Sequence, residues 1–239
     1  PKIAREEKKQ ITLNQEQQAV LDAFKKDYEE GKRKHYLLHG VTGSGKTEVY
    51  MGMIEEVLKS GKQAIVLIPE IALTFQTVMR FYGRFGEKVS VIHSKMSAGE
   101  RYDQMERAKK GEISIMIGPR SAVFTPFPDL GMIIIDEEHE GSYKSETNPK
   151  YHAREVANHR CDRSGAVLVL GSATPSVDSY FKASCGEYTL LKLSNRINDL
   201  KLADVQVVDL RTELKEGNRS VISRALRAQM QQALEKNQQ

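Results

Sequence analysis

Eight consecutive residues, Gly40-Val41-Thr42-Gly43-Ser44-Gly45-Lys46-Thr47, match the pattern GxxxxGK[ST] in full. Glycines without a Cβ let successive backbone N–H groups turn inward around an anion, and a helix beginning at the lysine adds partial positive charge. Lys46 then reaches the β- and γ-phosphates of a nucleoside triphosphate, and the Thr47 hydroxyl can bind Mg²⁺. A glycine-rich turn can match the same pattern by chance. The context argues against that, because His35–His39 reads as a strand entering the loop and Lys46–Lys59 as a helix leaving it.

A second group lies 90 residues after Lys46, where the apolar run Met132–Ile135 ends in Asp136, Glu137, Glu138 and His139. In a parallel sheet the carboxyl ends of the strands gather at one edge, so this separation still allows Asp136 to lie beside the glycine loop. Asp136 would hold Mg²⁺, and Glu137 would orient and deprotonate an attacking water. Taken alone, the same residues read equally well as a solvated acidic turn after a core strand. Gly171-Ser172-Ala173-Thr174-Pro175 follows another buried strand, and its small hydroxyl side chains could link the phosphate site to something else. The plainer reading is a strand-to-helix turn with Pro175 at the first helical position. Gln17 either caps a helix together with Asn14 or reads an adenine edge with its amide, and spacing favours the cap.

These residues need a scaffold, and the periodicity supplies one. Helices are expected over about Gln15–Glu30, Lys46–Lys59, Leu73–Phe85, Ser97–Lys110, Ala153–Cys161 and Ser176–Ser184. Between them come strands at His35–His39, Gln63–Ile68, Val89–Ile92, Ile113–Ile117, Met132–Ile135 and Ala166–Leu170. Continuous Val, Ile and Leu runs are the mark of strands buried on both faces, so the fold class is α/β with a mainly parallel sheet and helices on both sides. Past about Tyr188 the pattern weakens to short strands, Thr189–Leu193 and Gln206–Leu210, and a final helix near Ala225–Leu234. The charged stretch Lys2–Gln10 reads as a linker, and the helical pattern at the other end carries no stop signal, as in a piece of a longer protein.

Composition sets outer limits. The 239 residues are 39% hydrophobic and 28% charged, with a net charge of +4, which tolerates a polyanionic partner without arguing for one. Cys161 and Cys185 form no CxxC pair, so a zinc site is not expected here, and both read as free buried thiols of a reducing cytosol. The apolar runs are far shorter than a membrane span.

The ordered set GVTGSGKT, PEIALTFQ (Pro69–Gln76), GPRSAVFTPF (Gly118–Phe127), DEEH and GSATP resembles the superfamily 2 helicases of the DEAH type. The stretch DEEHEGSYKSETNPKYHAREVA is similar to the bacterial replication-restart branch of them. The likeness runs over about residues 11 to 236 and implies a P-loop NTPase (RecA-like) lobe at 11–187, with 188–239 as a peripheral extension leading to a second lobe. It implies that Gln17 reads adenine, that Gly40 to Thr47 bind ATP, and that Lys46, Asp136 and Glu137 are catalytic with Mg²⁺ on Thr47 and Asp136. His139, Ser172 and Thr174 fall in motifs that couple hydrolysis to strand movement. Pro69, Thr74, Arg120 and Ser121 fall where the family contacts a single-strand backbone. Tyr143 and Tyr151 fall in a loop that in the family is aromatic-rich and senses DNA. Some relatives carry Trp in that loop, whereas this chain has no Trp, and ordinary packing is the alternative for both tyrosines.

The family's second-lobe arginine, cysteine-rich zinc insert and preceding DNA-binding modules are not in this sequence. What the resemblance implies for the whole protein is a cytoplasmic, nucleoid-associated bacterial 3′-to-5′ DNA helicase. Its partners would be single-stranded and forked DNA and replication-restart proteins, with no membrane and with zinc only in the missing part. A P-loop kinase is a rival reading, but it would need an acceptor site and lid arginines in place of DEEH and GSATP. A module that holds nucleotide without turnover is a second rival.

Overall fold

Seven strands form one sheet in the computed structural model, which describes residues 12–196 and 204–236. They are β1 (His35–Gly40), β2 (Gln63–Leu67), β3 (Val89–Val91), β4 (Ile115–Gly118), β5 (Leu130–Ile135), β6 (Val167–Ser172) and β7 (Thr189–Leu193). Their order across the sheet is β3-β4-β2-β5-β6-β1-β7, and every pairing is parallel. Parallel neighbours need crossovers, and helices provide them. The helices are α1 (Gln15–Glu29), α2 (Lys46–Lys59), α3 (Phe75–Phe85), α4 (Ala98–Lys109), α5 (Ala153–Ser164) and α6 (Val177–Ser184).

Side chains alternate strictly between the two faces of a strand, and the core divides accordingly. Tyr36 and Leu38 of β1, Ala64 and Val66 of β2, and Met132 and Ile134 of β5 pack with α1, α2 and Phe81 of α3. Leu37, Ile65, Leu67, Ile133 and Ile135 face the other way, onto Ala108 of α4 and Ala153, Ala157 and Cys161 of α5. Both faces are therefore apolar, which is why these strands read as unbroken hydrophobic runs.

Local signals fix the helix ends. Asn14 with Gln17 and Ser97 with Glu100 form reciprocal capping boxes at α1 and α4. Thr74 caps α3, so that helix starts at Phe75, two residues beyond the expected start. Ser176 caps α6 through the backbone N–H of Ser179, which leaves Pro175 ahead of the cap and outside the helix, a correction to its expected place in the first turn.

The chain divides into two compact units, Pro1–Asp199 and Leu200–Gln239. Thr189–Leu193, assigned from sequence to a peripheral extension, pairs with β1 from Tyr36↔Thr189 to Gly40↔Leu193 and is an edge strand of the main sheet. The second unit holds α7 (Leu210–Lys215) and α8 (Arg224–Glu235). The strand expected at Gln206–Leu210 is absent. Val205 and Val207 are 87% and 91% exposed, and Asp209 accepts from the N–H of Arg211 to open α7 instead. An alternating apolar pattern without a neighbouring strand has nothing to pair with. The expected linker at 1–10 lies outside the described residues.

Cys161 is buried and burial pushes its thiol up to about 12, whereas Cys185 is exposed at the end of α6 and corrects the reading of two buried thiols. Among the described residues no helix is long and apolar enough to cross a membrane, and no three His, Cys, Asp or Glu side chains gather as a metal site.

Candidate nucleotide site and adjoining groove

The sheet register brings the motif residues to one edge. His39 is level with Ser172, Leu67 with both Ile135 and Gly118, and Ile135 with Leu170. The residues that follow each strand therefore emerge together.

In the glycine loop, Gly43 and Gly45 hold φ of 80° and 79°, a region that side chains with a Cβ disfavour. A Cβ on Gly40 would lie 2.6 Å from Ser44 Oγ. The loop is pinned at its base by Val41 N–H donating to Leu193 O (3.1 Å). Lys46 opens α2, donates from Nζ to Gly40 O (3.0 Å), and lies 3.6 Å from Glu137 Oε1. Helix α2 has no side-chain cap, and Ser44 Oγ is buried without a partner among the described residues. Open helix N–H groups, an orphaned buried hydroxyl and a lysine drawn across the loop are what a polyphosphate would satisfy. The loop fits that ligand, with Thr47 in the first turn for its metal.

Gln17 forms the expected cap and also reaches the glycine loop. Its Oε1 accepts from Asn14 N–H (2.9 Å) while Asn14 Oδ1 accepts from Gln17 N–H (2.8 Å), completing the cap. Its Nε2 also donates to Ser44 O (2.8 Å), which ties α1 to the glycine loop.

The four residues after β5 diverge. Asp136 extends the ladder by donating from its N–H to Leu67 O, and its Oδ1 accepts from the Tyr50 hydroxyl (2.9 Å). Burial pushes its carboxyl above the usual carboxylate range, and the Tyr50 hydrogen bond offsets part of that. Glu137 has φ of 46°, which makes it the non-glycine residue with positive φ among those described. Such strain is held only where the surroundings enforce it, and it clusters at functional sites. The turn puts one Glu137 oxygen toward Lys46 and the other 3.7 Å from His139 Nδ1. Glu138 turns inward, where it accepts from Ser176 N–H (2.7 Å), Ser179 hydroxyl (2.9 Å) and Arg154 Nη1 (3.1 Å). His139 Nδ1 lies 2.7 Å from Ser172 Oγ, which also accepts from Thr174 N–H (2.9 Å), and Thr174 Oγ1 is 3.5 Å from His139 Nε2. The turn read from sequence as plain thus contacts the acidic loop directly.

Beside this site, past the ends of β2 and β4, is a cavity of about 400 Å³. Pro69, Arg120, Ser121, Tyr143 and Tyr151 line it together with Arg101 and His93, whereas Thr74 does not and serves as the cap of α3. Tyr143 is only 1% exposed, and its hydroxyl donates between Leu67 O (3.0 Å) and Asp136 O (2.6 Å). Of the two readings open for Tyr143, its ring takes the packed one, because the hydroxyl reaches two buried carbonyls. Tyr151 is half-buried with its ring edge-on to Phe124 at 5.0 Å. Arg120 donates to the carbonyls of Ser142 (3.1 Å) and Lys144 (2.8 Å), so it fixes the Tyr143 loop, and it pairs with no acid among the described residues. Tyr50, Glu138 and Arg154 were missed as contributors. The spacing of Tyr50 marks only an apolar helix face, and nothing in DEEH singles out its second glutamate for burial.

A parallel α/β sheet with a phosphate loop after β1 and acids after β5, with only β6 between those two strands, is a P-loop NTPase (RecA-like) lobe. The chain belongs to the DEAD/DEAH box helicase family, which matches residues 14–182. It is 49% identical to the replication restart protein PriA of Bacillus subtilis (strain 168), covering 96% of this chain and 28% of the relative. Against PriA of Synechocystis sp. it is 48% identical over 85% of this chain and 25% of the relative. The chain therefore spans less than a third of the curated relatives it matches. Among solved structures it is similar to RecG bound to a three-way DNA junction (TM-score 0.57, 24% identity, 77% of this chain and 24% of that one). It is also similar to the Hef helicase domain of Pyrococcus furiosus (TM-score 0.55, 19% identity, 77% and 38%). Both likenesses bear on the fold.

Proposed function

We propose that the chain is the ATP-binding motor lobe of a 3′-to-5′ DNA helicase that restarts stalled replication forks and assembles the primosome. The single observation that carries this reading is Lys46 meeting Glu137 at 3.6 Å, beside Asp136, in a loop that fits a polyphosphate. Hydrolysis of ATP then drives movement along single-stranded DNA in the full-length protein. Mg²⁺, when bound, neutralises charge on the phosphate oxygens. Lys46 and the glycine-loop N–H groups bind the phosphates, and Thr47 and Asp136 hold the metal. Glu137 orients the attacking water and accepts its proton.

Gln17 keeps one N–H and one lone pair beyond its three described bonds, the pair an adenine edge takes. His139, which lies 3.7 Å from Glu137, is hydrogen-bonded with Ser172 and Thr174 at the turn after β6, a link suited to reporting the state of the site. The cavity walled by Pro69, Arg120, Ser121 and Tyr151, with Arg101, takes the DNA backbone, and Thr74, outside that lining at the start of α3, is carried as a contact by the resemblance alone. Relatives named for replication restart support that process as the setting; the partners in this reading are forked DNA and replication-restart proteins, in the bacterial cytoplasm at the nucleoid. A second lobe would supply the arginine that completes the site, and a zinc insert would lie outside this chain.

Phosphate release from the full-length protein, with and without single-stranded DNA, tests the reading. Glu137→Gln should still bind ATP while turnover falls at least about 100-fold, as expected for loss of a general base. Hydrolysis at the wild-type rate would move the water-positioning role to another residue.

A further inference from the structure

We propose that Tyr50 is the positioning residue that sets the Asp136 carboxylate for its metal. The inference rests on the reading that Asp136 holds Mg²⁺. Tyr50 lies one helical turn after Lys46 in α2 and is 1% exposed. Its ring belongs to the core between α2 and the sheet, where phenylalanine would pack as well. Its hydroxyl donates to Asp136 Oδ1 at 2.9 Å, across 86 residues of sequence.

The opposite strand makes room for that hydroxyl. A Cβ on Gly171 of β6 would fall 1.6 Å from the Tyr50 oxygen, so no residue but glycine leaves the oxygen where it is. A carboxylate at a strand end can rotate about two side-chain bonds. Holding Oδ1 removes that freedom and leaves Oδ2 without a side-chain partner among the described residues. The Tyr143 hydroxyl meanwhile donates to the Asp136 main-chain carbonyl at 2.6 Å. Asp136 is thus gripped at its main chain by one tyrosine and at its side chain by another. One rigid helix then presents Lys46 for phosphate, Thr47 for the metal and Tyr50 for the metal's carboxylate, so all three keep their mutual spacing.

The test is binding of a fluorescent non-hydrolysable ATP analogue to this chain, in EDTA and across a Mg²⁺ titration, for wild type, Tyr50→Phe and Asp136→Asn. Tyr50→Phe should keep the EDTA affinity within about twofold and raise the Mg²⁺ concentration for half-saturation about tenfold, the scale on which partners of metal ligands act. Asp136→Asn should raise it at least as much. A wild-type Mg²⁺ response in Tyr50→Phe beside an impaired Asp136→Asn overturns the role of Tyr50 and leaves the metal reading standing. Equal loss of affinity in EDTA and in Mg²⁺ also overturns it, since that is the mark of altered packing. A wild-type response in Asp136→Asn removes the metal reading itself.

Discussion

At the scale of single residues, the site is concentrated in a few side chains whose surroundings are unusual. Glu137 is the sharpest case, with its left-handed backbone and its oxygens shared between Lys46 and His139. A residue with a Cβ in that conformation costs about 1 kcal/mol relative to glycine. Glu137→Gly should therefore raise the stability of the ligand-free chain by about 1 kcal/mol in urea melts while removing turnover from the full-length protein. A less stable variant would mean that the Lys46 and His139 contacts outweigh the strain. The phosphate loop and the Asp136–Glu137 pair were legible in the sequence because their chemistry demands particular residue types at fixed spacing. Tyr50 and Gly171 were not, since a tyrosine on a buried helix face and a glycine in a strand have many ordinary uses. Only their contact across the fold gives them meaning.

At the scale of elements, Glu138 ties three pieces together. It comes off β5, meets Arg154 of α5, and accepts from Ser176 and Ser179 at the start of α6. The Glu138 side chain is fully buried and that of Arg154 nearly so. Removing one partner of a buried pair leaves an uncompensated charge, so Arg154→Met should destabilise the chain by about 3–5 kcal/mol in denaturant melts. A loss below about 1 kcal/mol would show that the serines alone suffice. The parallel strands were legible because burial on both faces writes itself as runs of Val, Ile and Leu. The 3-10 turns at Arg120–Phe124 and Gly141–Tyr143 carry no such signature. For that reason packing stayed one of two open readings for Tyr143, and the locking of its loop by Arg120 could not be read in advance. Gln206–Leu210 failed for the opposite reason: its alternation is strand-like, but it finds no neighbouring strand among the described residues.

At the scale of the whole molecule, the two thiols report on folding. A thiol reagent should titrate Cys185 quickly at neutral pH and reach Cys161 only on unfolding, because Cys161 is buried and its thiolate is disfavoured. Two fast thiols would contradict the packing of α5 on the sheet. With a net charge of +4, the chain should bind a labelled single-stranded oligonucleotide weakly, with little sequence preference and a steep decline in salt. Arg120→Ala should weaken that binding evenly across sequences, because it removes a charge and frees the loop that the arginine holds. The central claim, however, is that the glycine loop grips a nucleoside triphosphate through Lys46, and thermal melting of the chain with ATP and Mg²⁺ tests it most directly. At 100 times the dissociation constant, binding to the folded state contributes about 2.7 kcal/mol, or roughly 5 to 10 °C for a chain of this size. Wild type should show that rise and Lys46→Ala should lose most of it while melting cooperatively; an equal rise in Lys46→Ala, or none in wild type, would contradict the claim.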